Sequence, residues 1–213
     1  MSRFNKYAQE LKRLVTEKCI MLKCAQEKYD NAKAEAEKYP ERHGFVDQKY
    51  QVEYLKRKLA FEEASQNLRR VKDTVATEFE ADIRELRENL SKDATDYFAV
   101  DPSKLSPEIV SFLNSDILDI ADYKKLMRVA EEDNNVSMIR MIADRASKAQ
   151  KACNDVNKRQ ELGLIAHTVD KYKVENYLDA FDSMVSVANT CLRNTRVFDR
   201  WDQLGMDRTI DNF

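Results

Sequence analysis

Residues 49–92 read KYQVEYLKRKLAFEEASQNLRRVKDTVATEFEADIRELRENLSK, without a glycine or a proline. Apolar residues recur through this stretch as Leu55, Leu59, Ala64, Leu68, Val71, Val75, Phe79, Ile83, Leu86 and Leu90. Steps of three and four place them on one face of a helix. At 1.5 Å per residue such a helix is roughly 70 Å long. No small globular domain needs that length, and so narrow an apolar stripe is normally buried against another helix.

The partner lies immediately upstream. From Phe4 to Tyr39 there is again no glycine or proline, and Tyr7, Leu11, Leu14, Ala25, Tyr29 and Ala32 keep the helical spacing. Between the two runs stands Tyr39-Pro40-Glu41-Arg42-His43-Gly44. Proline disfavours helix at the residue before it and glycine permits a positive φ, so a tight reversal is predicted over 39–45.

Charge gives a second argument for pairing. Residues 1–23 carry six Lys/Arg against two Glu (+4), and residues 24–41 three Lys against five acids (-2). Residues 49–72 carry seven bases against three acids (+4), and residues 73–96 three against eight (-5). Both helices run from positive to negative, against their own macrodipoles. Folded back antiparallel, each basic half lies beside the partner's acidic half. Exposed pairs contribute only tenths of a kcal/mol each, so these charges set register more than stability. The second helix outruns the first by about a dozen residues, roughly 18 Å of stripe around Ile83, Leu86 and Leu90. The rest of the chain or a second copy must cover it.

After Asp96 the texture changes. Tyr97 to Leu105 reads as an ordered linker. Ser106-Pro107-Glu108 is a helix start, with serine as N-cap and proline at the first helical position. That helix runs to Leu113 and ends at Asn114-Ser115. Asp119 caps a helix from Ile120 to about Glu132, with Leu126 and Val129 facing inward. Asn134-Asn135 breaks it, and Asn135 caps Val136 to about Lys151. A helix around Leu162, Leu164 and Ile165 follows, then a last one from about Val174 to Arg200. Short helices with short connections make a bundle. The fold predicted is all-α, with a long antiparallel two-helix coiled-coil hairpin over 1–95. A compact helical bundle with an aromatic C-terminal tail follows over 96–213.

Only three glycines and three prolines occur in 213 residues, too few for the turns of a sheet protein. The chain is 35% charged and 43% hydrophobic, too apolar for wholesale disorder. No run approaches the roughly 20 apolar residues that span a bilayer. The start, Met1 to Lys6, lacks the apolar core of a signal peptide, so a cytoplasmic place is expected. A net charge of -2 provides no general attraction to nucleic acid or anionic lipid. No membrane partner is expected.

Chemistry-bearing patterns are scarce. The four cysteines, Cys19, Cys24, Cys153 and Cys191, form no CxxC pair and read as reduced thiols. Two histidines, His43 and His167, stand far apart, with no zinc-type spacing. A Cys191–His167 nucleophile pair is the one catalytic arrangement to test, and a buried cysteine with a surface histidine is its plain alternative. Gly44, Gly163 and Gly205 stand singly, so no phosphate loop is present. Glu78, Asp82 and Glu85 share a helical face that could hold a cation, but pairing across the hairpin accounts for it. No catalytic residue, cofactor or metal site is predicted. The segment Lys56 to Lys72 is basic enough to support a nucleic-acid-associated or regulatory reading. The tail carries Trp201, Leu204, Ile210 and Phe213, which either dock back on the bundle or engage a partner.

Residues 113–118, LNSDIL, and 121–126, ADYKKL, followed by Met138-Ile139-Arg140 and a terminal Asn212-Phe213, resemble a group of helical proteins encoded by phages and prophages of Gram-positive, often gut, bacteria. The resemblance implies a virion-associated or assembly role and transfers no functional residue. Together these readings predict a non-catalytic structural or assembly protein. Its partner is a second copy or another structural protein, and Ile83, Leu86, Leu90, Trp201, Ile210 and Phe213 are the candidate contact residues.

Overall fold

A computed structural model describes residues 3–42, 47–115, 118–201, 206, 209 and 213. These residues are all-α, and there is no strand among them. Two long helices come first, α1 (Asn5–Glu37) and α2 (Gln48–Phe98). At 51 residues, α2 extends about 76 Å. After a 3₁₀ turn at Pro102–Lys104 come α3 (Pro107–Leu113), α4 (Ile120–Glu132), α5 (Val136–Ala152) and α6 (Val156–His167). A second 3₁₀ turn, Thr168–Tyr172, leads to α7 (Val174–Arg193) and the short α8 (Thr195–Phe198). Residues 43–46, where the reversal is expected, lie outside the described residues, as do Asp116, Ile117, Leu204 and Ile210.

The helix starts follow local chemistry. Ser106 accepts from the Ile109 amide ahead of Pro107, and Asp119 and Asp122 form a reciprocal capping box. Asn134 takes the left-handed conformation (φ 51) that ends α4. Asn135 then caps α5, accepting from the Met138 amide at 3.1 Å while its Nδ2 donates to the Lys104 carbonyl at 2.8 Å. Two elements differ from expectation. The segment read as a linker from Tyr97 begins as helix, because Leu90, Ala94 and Phe98 continue a buried i, i+4 row. The last long helix ends at Arg193 instead of continuing to Arg200, because Asn194 goes extended (φ -141) and caps α8 through the Arg196 amide.

The chain divides into two compact units, Met1–Leu90 with Ala180–Phe213, and Ser91–Asp179. Residues 180–213, grouped with the bundle in the sequence reading, therefore belong with the two long helices. In the first unit, partners on α2 fall in number as those on α1 rise. The Tyr7 hydroxyl donates to the Asn89 carbonyl at 3.1 Å, Lys18 pairs with Glu78, Tyr29 stacks on Phe61 at 5.4 Å, and Arg57 pairs with Glu35. Farther along the chain, Lys23 pairs with Asp199, and Arg87 makes a forked contact to Asp182 at 2.8 and 2.9 Å. These two pairs tie α7 and α8 to α2 and α1.

The second unit is organised around α5. Ile139, Ile142 and Ala146 are fully buried, with Tyr123 and Met127 of α4 and Leu162 of α6 in the same cluster. A Cβ on Gly163 would come within 2.7 Å of the Gln150 side-chain amide nitrogen, the movable end of a flexible side chain. Val129, expected inside, is exposed, and so is Leu164.

One buried group works against the fold. Asn5 is 3% exposed, and neither its Nδ2 nor its Oδ1 has a hydrogen-bond partner. An unsatisfied buried amide costs about 1–3 kcal/mol. Asn5→Leu is therefore expected to stabilise the protein by an amount of that order, read as a higher urea midpoint. An unchanged or lower midpoint would show that the amide is satisfied in solution.

Candidate functional site

The candidate contact residues on α2 and in the tail fall at different depths. Ile83 and Leu86 are half-buried, whereas Leu90 is 0% exposed, Trp201 4% and Phe213 6%. Phe213 lies against Phe181 of α7, with ring centroids 6.4 Å apart, and Trp201 against Phe198 of α8 at 5.6 Å. Leu90, Trp201 and Phe213 are thus core residues of this chain and offer no contact surface. The end of α2 that outruns α1 is covered at Leu90.

The uncovered apolar residues lie at the other end of α2. Val52, Leu55 and Leu59 are 58%, 55% and 57% exposed. Arg57 and Phe61 meet α1 through Glu35 and Tyr29, which fixes the inward face of α2 here. Positions two apart on a helix point about 200° away from each other, so Leu55 and Leu59 point outward. The periodic reading had placed both on the inward stripe. Tyr54, Arg57, Phe61 and Ala64 occupy that face instead, each half-buried. The first turns of α2 are therefore apolar on two opposite sides, and only one of them is used.

Around this patch the charges are mixed. Lys49, Lys56, Glu62 and Glu63 are exposed. Arg57 is drawn out of the basic segment by its pairs with Glu35 and Glu53 and by the Tyr39 ring 4.3 Å beneath it. Lys38 and Arg57 together hold the Glu35 carboxyl below its usual range. The acidic face at 78–85 is partly taken up inside the first unit. The mostly buried Lys18 pairs with Glu78 and lies 4.0 Å from Asp82.

The two residues of the catalytic arrangement raised by the sequence fall in different units, His167 in the second and Cys191 in the first. His167 Nδ1 is hydrogen-bonded to Asp170 at 2.9 Å, and Lys173 and His167 hold that carboxyl below its usual range. Cys191 is fully buried, and burial raises its thiol. Burial likewise pushes Cys19 up to about 12. The reactive thiolate is scarce at both sites. At pH 8, iodoacetamide is expected to label the exposed Cys24 in the folded protein and to reach Cys19 and Cys191 only in denaturant. Rapid labelling of all three under native conditions would contradict this packing. Among the described residues no three His, Cys, Asp or Glu side chains gather as metal ligands would, and no helix is long and apolar enough to cross a membrane.

No family model, curated protein or solved structure matches this chain.

Proposed function

We propose that this chain is a non-catalytic assembly protein, of phage or prophage type, that acts by helix pairing in the host cytoplasm or virion. In this reading α1 and α2 form an antiparallel coiled-coil hairpin, with residues 91–179 as an attached bundle. The Lys18–Glu78 and Arg57–Glu35 pairs support the hairpin, since each joins the basic half of one helix to the acidic half of the other. The observation that carries the function is the exposed Val52, Leu55 and Leu59 stripe on the outer side of α2. Apolar residues in a row at helical spacing on a solvent face are a contact surface for another helix.

The first partner of this face is a second copy of the chain. Lys49 and Glu63 flank the stripe at nearly equal distances from its centre. A copy laid antiparallel across Leu55 therefore places each Lys49 beside its counterpart's Glu63. Pairing Leu55→Asp with Leu59→Asp tests this. Association should be lost while the thermal midpoint, read at concentrations too low for the wild type to pair, stays put, because both positions are in water in the single chain.

A second reading rests on Lys58, Arg69 and Lys72, which share one face of α2, are exposed, and have no carboxylate partner among the described residues. It makes the chain a nucleic-acid-associated protein. Binding of labelled DNA or RNA at low ionic strength, weakening steeply with added salt, would favour it; no binding at low salt would remove it.

A further inference from the structure

We propose that the first unit carries a binding site for a long-chain carboxylate, in a groove where α7 lies beside α1 and α2. The cavity there is about 660 Å³, within the range of small-molecule sites. Leu22 of α1 with Val75 and Phe79 of α2 form its floor, all buried. Ile83, Val185 and Leu192 contribute half-buried apolar walls.

The direction of the groove follows from the Arg87–Asp182 fork. From that contact, α2 lines the cavity with residues of falling number, Ile83 to Lys72, while α7 lines it with residues of rising number, Val185 to Arg193. The two helices therefore run antiparallel along it. Ile83 and Val185 lie at the end next to the fork. Ala76 and Arg193 lie about 10 to 12 Å farther along, and Lys72 about 6 Å beyond Ala76.

Polarity is graded along that length. Lys72 and Arg193 are exposed, and neither has a carboxylate partner among the described residues. Glu80, partway along, pairs outward with Arg84 at 3.4 Å. Asn189, one turn from Val185, also lines the groove and is exposed. The floor of Leu22, Val75 and Phe79 has no side-chain donor or acceptor, so the part of an occupant that lies on it is apolar. An alkyl chain ending in one anionic group meets both conditions: the chain covers Val75 and Phe79, and the carboxylate rests between two cations. This site is separate from the Leu55 face, so neither proposal depends on the other.

The test uses the full-length chain titrated with dodecanoate by calorimetry, below the concentration at which the soap forms micelles. Saturable one-to-one binding is expected, about tenfold or more tighter than for methyl dodecanoate or dodecyltrimethylammonium. Lys72→Glu combined with Arg193→Glu should weaken dodecanoate by about tenfold or more, and Ala76→Trp, from an exposed lip, should abolish binding by filling the groove. All three positions are exposed, so helical content and thermal midpoint should be unchanged. The proposal is overturned if the wild-type chain shows no saturable binding, or if neither the charge reversal nor Ala76→Trp alters it. It is equally overturned if Ala76→Trp lowers the solution mass while dodecanoate does not bind, since the occupant would then be a second copy.

Discussion

Trp201→Ala is expected to destabilise the first unit by about 3–5 kcal/mol, the usual cost of emptying a large aromatic site in a packed core. The indole is 4% exposed and its ring sits 5.6 Å from that of Phe198, so its removal leaves a cavity that α8 is too short to close by moving. For a domain of this size the loss corresponds to roughly 10 °C in thermal midpoint. A tail residue used only to grip a partner would behave differently, since its truncation would leave the midpoint within about 0.5 kcal/mol of wild type and weaken association instead. A thermal scan of Trp201→Ala followed by circular dichroism therefore separates the two roles, and a midpoint unchanged from wild type would contradict the docked tail.

Leu55→Asp together with Leu59→Asp carries the second large effect, on association. Each leucine is more than half exposed in the isolated chain, so an aspartate there costs folding little. In the paired state the same aspartates are desolvated without a partner. Buried unpaired charges at the centre of an interface cost about 2–4 kcal/mol or more, a weakening of roughly thirtyfold to a thousandfold. Leu59→Met, which keeps the apolar contact, should retain pairing. Sedimentation velocity of the three proteins across the micromolar range reads this directly. Association of the double aspartate variant at wild-type strength would rule the face out.

Much of the helical layout could be read locally. Ser106, Asp119 and Asn135 start helices because a short polar side chain satisfies the first free amides wherever it stands, and that chemistry needs no knowledge of the rest of the fold. The Lys18–Glu78 and Arg57–Glu35 pairs each join a basic run to an acidic run of the sequence. What the residues could not show was depth. Leu55 and Leu59 have the same three-and-four spacing as a buried stripe, and only Glu35 and Tyr29 on another helix decide that Arg57 and Phe61 face inward instead. Leu90 lies beyond the reach of the first helix, so the sequence left open whether the rest of the chain or a second copy covers it; that depends on contacts distant in sequence. Asn194 did give a signal, as a helix-capping residue inside an otherwise periodic run, and Leu90, Ala94 and Phe98 formed a legible row through the supposed linker. The cation pair Lys72 and Arg193 left no mark in the sequence, because it exists only where α2 and α7 run side by side.

In the proposed function the outer face of α2 is a self-pairing surface. Light scattering on a sizing column, run over increasing protein concentration, addresses it most directly. The expected result is a mass that rises toward twice the 24.9 kDa of one chain and returns to the single-chain value for the Leu55→Asp and Leu59→Asp variant. A wild-type mass of 24.9 kDa at every concentration would contradict it.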